Sequence, residues 1–239
     1  MAIAQKKLRL DLSGYYLIGL IVLVLLGFWP SYFSKFLDGT ANFSNYFHFH
    51  ATILIVWMAL LIAQPILIRK KKIKIHRWIG IGSYFIIPLI FLSIILLTHF
   101  RTPKGSLIKE SDLEGAFNSF KDIVILCFAF YIAIKYRKDY QLHARGMIVT
   151  GLAFIEPALI RFNFRVISDT TVAYFFTIGI LYAVFGFLIY KERNQKSARW
   201  VFPLSLVLYM MAHTFVIVGV DIPVWRSFVT WFSSLPITS

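Results

Sequence analysis

The stretch Tyr46–Ile68, YFHFHATILIVWMALLIAQPILI, followed at once by Arg69-Lys70-Lys71-Lys72-Ile73-Lys74-Ile75-His76-Arg77, decides how this chain folds. As a helix rising about 1.5 Å per residue it is long enough to cross a hydrocarbon layer of about 30 Å, and two histidines are its only ionisable groups besides Tyr46. An apolar run of that length halted by a cationic turn reads as a transmembrane helix stopped at a membrane surface.

Six further runs of the same kind flank it, at Gly14–Phe33, Trp78–Phe100, Phe117–Tyr136, His143–Phe164, Thr171–Tyr190 and Trp200–Val220. Over the 239 residues, 59% are hydrophobic and 15% charged, with a mean hydropathy of +0.72, more apolar surface than one water-soluble core would bury. Period-2 alternation is absent, which excludes an outer-membrane barrel and leaves helices. The predicted fold is an all-α, polytopic bundle of about seven transmembrane helices.

The formal charge of +14 sits in short connections rather than on one helical face, so it points to topology and away from nucleic acid. Lys6-Lys7-Leu8-Arg9, the turn at 69–77, Lys135-Tyr136-Arg137-Lys138, and Lys191–Lys196 with Arg199 fall on one side if every span crosses. The positive-inside rule puts that side in the cytoplasm, giving an N-in, C-out chain whose basic loops would hold anionic lipid. The expected division is a basic N-terminus over 1–13, a transmembrane domain over 14–220 and an amphipathic, interfacial tail over 221–239. No cleaved signal peptide is expected, and the first span would stay as an anchor. Cys127, the single cysteine, lies inside an apolar run and reads as a small buried residue.

Polar groups inside a membrane are expensive, so each is a functional candidate. With the spans placed, His50, His99, Asp122, Glu156, Arg161 and His213 converge on the outer third of the membrane from five helices. Helical phase puts His50, Trp57 and Gln64 on one stripe of the second span and His48 on the other side. Imidazole and carboxylate on separate helices suit a transition metal, so His50, His99, His213 and Glu156 are candidate ligands for iron, copper or zinc. The rival is a haem b held by His50 and His213. His76 and His143 open their spans at matching cytoplasmic depth and form a second candidate cofactor pair, unless they serve as interfacial anchors. Glu156 needs a partner at this depth, and His213 or His50 suits better than Arg161, which lies about 140° around the same helix. The same groups can instead form a buried network that fixes packing, or a proton or ion path using Glu156 and Arg161. Prolines at 65, 88, 157 and 203 are expected to kink their spans.

Three quoted features, read together, carry a resemblance. They are His50-Ala51 with Trp57 and Gln64-Pro65 behind it, the turn ending His76-Arg77-Trp78-Ile79-Gly80, and His143-Ala144-Arg145-Gly146-Met147. The chain resembles, over its second to fifth spans, the multi-pass bacterial membrane family known as domain of unknown function 2306. That likeness implies a polytopic protein of the bacterial cytoplasmic membrane and no particular reaction. A looser resemblance, in membrane histidines at both faces, is to diheme cytochromes of the b561 type and to small oxidase-assembly membrane proteins. The chain departs from the diheme pattern of paired histidines on facing helices at both faces.

These readings favour a metal- or haem-binding redox or respiratory accessory protein that works beside a membrane-complex partner. The alternatives are a proton- or solute-coupled transporter and a structural accessory subunit without cofactor. Nucleophile elbows, phosphate-binding glycine loops and His-Glu-x-x-His helices are missing, so any enzyme here would be a membrane oxidoreductase.

Overall fold

Residues 13–195 and 197–238 are described by the computed structural model; the basic stretch Lys6–Arg9 and Lys196 lie outside them. Seven helical segments among the described residues are long and apolar enough to cross a membrane. The protein is therefore a multi-pass, all-α membrane bundle, with no strand among the described residues.

The first span is α1, Ser13–Phe28, extended by a π-helical turn at Trp29–Phe33 and a short helical turn at Ser34–Leu37. The second and third are α2, Asn45–Arg69, and α3, Ile73–Arg101. The fourth is α4, Glu110–Lys135, which begins well before the apolar run at Phe117. Its early start has a local cause. Asp112 accepts a hydrogen bond from the Lys109 backbone N–H at 2.9 Å, and acids in a first turn suit the positive end of a helix dipole.

The fifth span is two helices, α5, Tyr140–Leu152, and α6, Ile155–Val166, parted at Ala153–Phe154. Pro157 has no N–H to offer the Ala153 carbonyl and its ring crowds that carbonyl, so the break falls one turn upstream of it. Pro65 and Pro88, by contrast, lie inside unbroken helices, and Pro203 sits in a first turn where a missing N–H costs nothing. Three more helices complete the crossings and tail among the described residues: α7, Thr170–Glu192, α8, Val201–Val218, and the short α9, Pro223–Ser234.

Short connections at 70–72, 136–139 and 193–200 gather at one end of the bundle, the basic end, and 38–44, 102–109 and 167–169 at the far end. Val22, Phe85, Val124, Phe176 and Met211 are exposed on the bundle's flanks, as side chains facing lipid would be. Inside, Trp57, Ile87, Ile90 and Leu126 join α2, α3 and α4, while Ile125, Val149, Leu181, Phe185, Phe202 and Tyr209 join α4, α5, α7 and α8.

Two glycines set close helix crossings. A Cβ at Gly146 would stand 2.7 Å from the Ala129 carbonyl oxygen and the Ala133 nitrogen, so α5 lies directly on the backbone of α4. A Cβ at Gly27 would strike the Ala158 carbonyl, fixing α1 against α6 in the same way.

Near the basic end Arg145 is fully buried, and its Nε donates to Glu192 Oε1 at 2.6 Å, tying α5 to α7. Glu192 thus belongs to the interior rather than to the solvated connection its basic neighbours suggest. At the far end α9 lies over the bundle. Trp225 Nε1 donates to the Leu113 carbonyl at 3.1 Å, and Val229 and Phe232 are buried. With twelve residues, α9 is too short to cross a membrane. Asp221 and Arg226 form an exposed two-point ion pair at its start, with Nη2 and Oδ2 2.6 Å apart.

Candidate functional site

Glu156 occupies the first turn of α6, immediately after the break in the fifth span. The break places a carboxylate at the positive end of a half-helix in the membrane interior, a position that favours its negative charge. Lys121 of α4 donates to Glu156 Oε1 at 2.6 Å, and both side chains are buried. The other carboxylate oxygen, Oε2, lies 3.3 Å from His213 Nε2 on α8. His213 Nδ1 meets the Tyr182 hydroxyl of α7 at 2.9 Å.

On its other side Lys121 reaches Asp122, whose Oδ1 is 3.4 Å from Nζ. Asp122, Lys121, Glu156, His213 and Tyr182 therefore stand in a file drawn from four helices, hydrogen-bonded at Lys121–Glu156 and Tyr182–His213 and in close contact without hydrogen-bond geometry at Lys121–Asp122 and Glu156–His213. His213 is thus hydrogen-bonded through Nδ1 alone, while its Nε2 and Glu156 Oε2 face each other without a hydrogen bond. Tyr209 packs its ring 5.8 Å from that of His213, and the Lys121 ammonium stands 5.9 Å from the Tyr209 centroid. The hydroxyls of Tyr174 and Tyr209 are buried beside the file with no hydrogen-bond partner among the described residues.

A cavity of about 550 Å³ reaches from the far-end loops down to the helix break. Ala153, Phe154 and Pro157 form its inner end, and Asp122 stands in its wall, so the file of ionisable groups begins at the cavity. Arg161, Arg101 and His50 also face it. Arg161 donates to the Pro157 carbonyl at 2.6 Å and lies over the Phe28 ring at 4.4 Å. His50 Nδ1 is 3.0 Å from Ser93 Oγ, whose own hydrogen goes to the Ile90 carbonyl at 2.8 Å. Ser93 must then accept from the His50 Nδ1–H.

The outer residues expected to act together are only partly joined. Glu156 and His213 meet; His50 is held by Ser93 on α3, and His99 by Thr238 at 2.7 Å and by the edge of Phe232, 5.1 Å between ring centroids. Among the described residues no three His, Cys, Asp or Glu side chains gather closely enough to hold a metal ion. Of the four candidate ligands only Glu156 and His213 meet, and the other Glu156 oxygen, Oε1, is taken by the Lys121 ammonium.

At the basic end His76 and His143 do face each other, with ring centroids 6.4 Å apart and planes at 89°. His143 Nδ1 donates to the Ala133 carbonyl at 2.8 Å, leaving its Nε2 as an acceptor. With its amide turned so that nitrogen faces acceptors and oxygen faces a donor, Gln64 donates to the His76 carbonyl at 3.2 Å and accepts from the Gly80 N–H at 3.0 Å.

Sequence reasoning passed over Lys121, although a lysine breaking the apolar run beside Asp122 is the signal that would have found it. It also passed over Tyr182 and Ser93, whose hydroxyls carry no sequence mark of their own. The chain matches no family model, no curated protein and no solved structure.

Proposed function

We propose that this protein is a proton-coupled membrane transporter. In this reading the far-end cavity admits a solute and the Asp122–Lys121–Glu156–His213–Tyr182 file carries the proton. The observation that supports it is the interrupted fifth span, which sets Glu156 at a helix start within the span, bound to Lys121 and facing the His213 imidazole. Broken helices with charged groups at their ends are how membrane transporters commonly build sites away from either surface. Asp122 meets the cavity, Lys121 stands between Asp122 and Glu156, and the His213 imidazole lies between Glu156 and Tyr182. In this reading the chain sits in the bacterial cytoplasmic membrane with the far end outward, and its basic end rests on anionic lipid.

Proteoliposomes carrying an internal pH-sensitive dye test this under an imposed membrane potential. Wild type acidifies the lumen, and Glu156→Gln and Lys121→Met slow it on the order of a hundredfold, the scale for removing a proton-transfer group. Equal rates in wild type, both variants and empty liposomes would refute it.

The redox reading retains one supporting observation, the facing rings of His76 and His143 with an acceptor nitrogen on His143. On that reading the pair would hold a haem, which would supply one-electron chemistry. An absorption spectrum with a Soret band lost in His143→Ala would favour it, and colourless protein from haem-replete cells would remove it.

A further inference from the structure

The cavity carries information about the solute. Its inner wall is apolar, with Val24, Leu54, Met58, Ile94, Leu97 and Leu126 among the lining. Its polar groups are unequal in kind. Asp122 already faces the Lys121 ammonium, and Asp112 is occupied in capping α4. Arg161 and Arg101 are ion-paired with no carboxylate among the described residues.

A guanidinium has five N–H donors, and Arg161 commits one to the Pro157 carbonyl. The Phe28 ring covers one of its faces at 4.4 Å, which holds the fork in place and leaves its remaining donors along the edge. An arginine on an apolar wall, fixed in position and in no ion pair although Asp122 stands across the same cavity, matches an oxyanion that accepts two parallel hydrogen bonds. The volume, about 550 Å³, is that of a small-molecule site and exceeds what a bare inorganic anion needs.

We propose that the far-end cavity binds one anionic amphiphile, with a carboxylate or phosphate head on Arg161 and Arg101 and an apolar body along the wall between α2, α3 and α4. This deepens the transport reading by naming the class of solute. It is tested apart from proton movement, because Glu156 does not line the cavity.

The experiment is native mass spectrometry of the intact protein released from neutral-detergent micelles after incubation with laurate, lauryl phosphate, lauryl alcohol or inorganic phosphate. One equivalent of laurate or lauryl phosphate is expected, with neither the alcohol nor inorganic phosphate retained. Arg161→Gln lowers the anion's affinity on the order of tenfold or more, the scale of a lost charged hydrogen bond. Leu54→Trp, which fills the apolar wall and leaves the head site intact, lowers it as well, so the proposal does not hang on one variant. Binding is read from mass with no pH gradient imposed, so a failure of binding and a failure of proton movement are told apart. Retention of lauryl alcohol as strong as that of laurate would overturn the role of the arginines. Retention of inorganic phosphate alone would make the cavity an ion site, and equal binding by wild type, Arg161→Gln and Leu54→Trp would place the amphiphile elsewhere.

Discussion

Lys121 and Glu156, thirty-five positions apart, are joined by a 2.6 Å hydrogen-bonded ion pair inside the bundle. The pair fastens α4 to the half-helix α6. It also converts an otherwise costly membrane carboxylate into one member of a compensated group, since each charge supplies what the other loses with its water.

Breaking that pair from one side leaves the other charge buried alone. Lys121→Met is expected to destabilise the protein by about 3–5 kcal/mol, and Lys121→Met with Glu156→Gln by clearly less, because the double variant buries no lone charge. Denaturant unfolding in micelles, arranged as a double-mutant cycle, measures the coupling; strictly additive losses would mean that the two side chains do not interact.

Gly146 tolerates no side chain without moving α5 off α4. Gly146→Val is expected to cost on the order of 1–3 kcal/mol or more by overpacking. Gly82, with nothing within 4 Å of a Cβ, serves as the control for substituting a helical glycine. Thermal melting of both variants checks this, and equal melting points would contradict the close crossing.

In the tight turn between α2 and α3, Lys71 adopts φ = 58°, a conformation that costs a residue with a Cβ. Lys71→Gly should raise stability by about 1 kcal/mol, a change read from the unfolding midpoint. A lower midpoint would show that the lysine itself makes a contact of greater value.

The start of α9 responds to acid. The Arg226 side chain, hydrogen-bonded to Asp221, holds that carboxyl below its ordinary value of 3.8. A folded value below the unfolded one means that the pair contributes its stability above the ordinary value, and that this contribution is lost as pH falls through the depressed one. Both groups are exposed, so the effect is small and screened by salt. Trp225 fluorescence should report loosening of α9 below about pH 4 in wild type, and Asp221→Asn should remove that pH dependence. An unchanged acid transition in Asp221→Asn would assign it to another group.

The spans were legible because a membrane helix declares itself through one-dimensional hydropathy. Their ends were less so: α4 starts at Glu110 because of a cap at Asp112 that hydropathy does not register. Depth was legible too, since position along a span fixes it. The order of helices around the bundle was not, and it decides that His213 meets Glu156 while His50 turns to Ser93 and His99 to Thr238. Nor does proline alone announce a break, since Pro65 and Pro88 ride in intact helices and only Pro157 divides its span.

The division at Ala153–Phe154 has a mechanical meaning. The lower rod, α5, is seated through Gly146 on α4, and the upper rod, α6, through Ala158 on α1. One span thus answers to two separate supports, and the joint between them is lined by the cavity on one side and followed at once by Glu156. A tilt of the upper rod against the lower would alter the depth of the cavity and the reach of Lys121 in the same stroke, so that loading the one would be felt by the other without any signal having to travel between them.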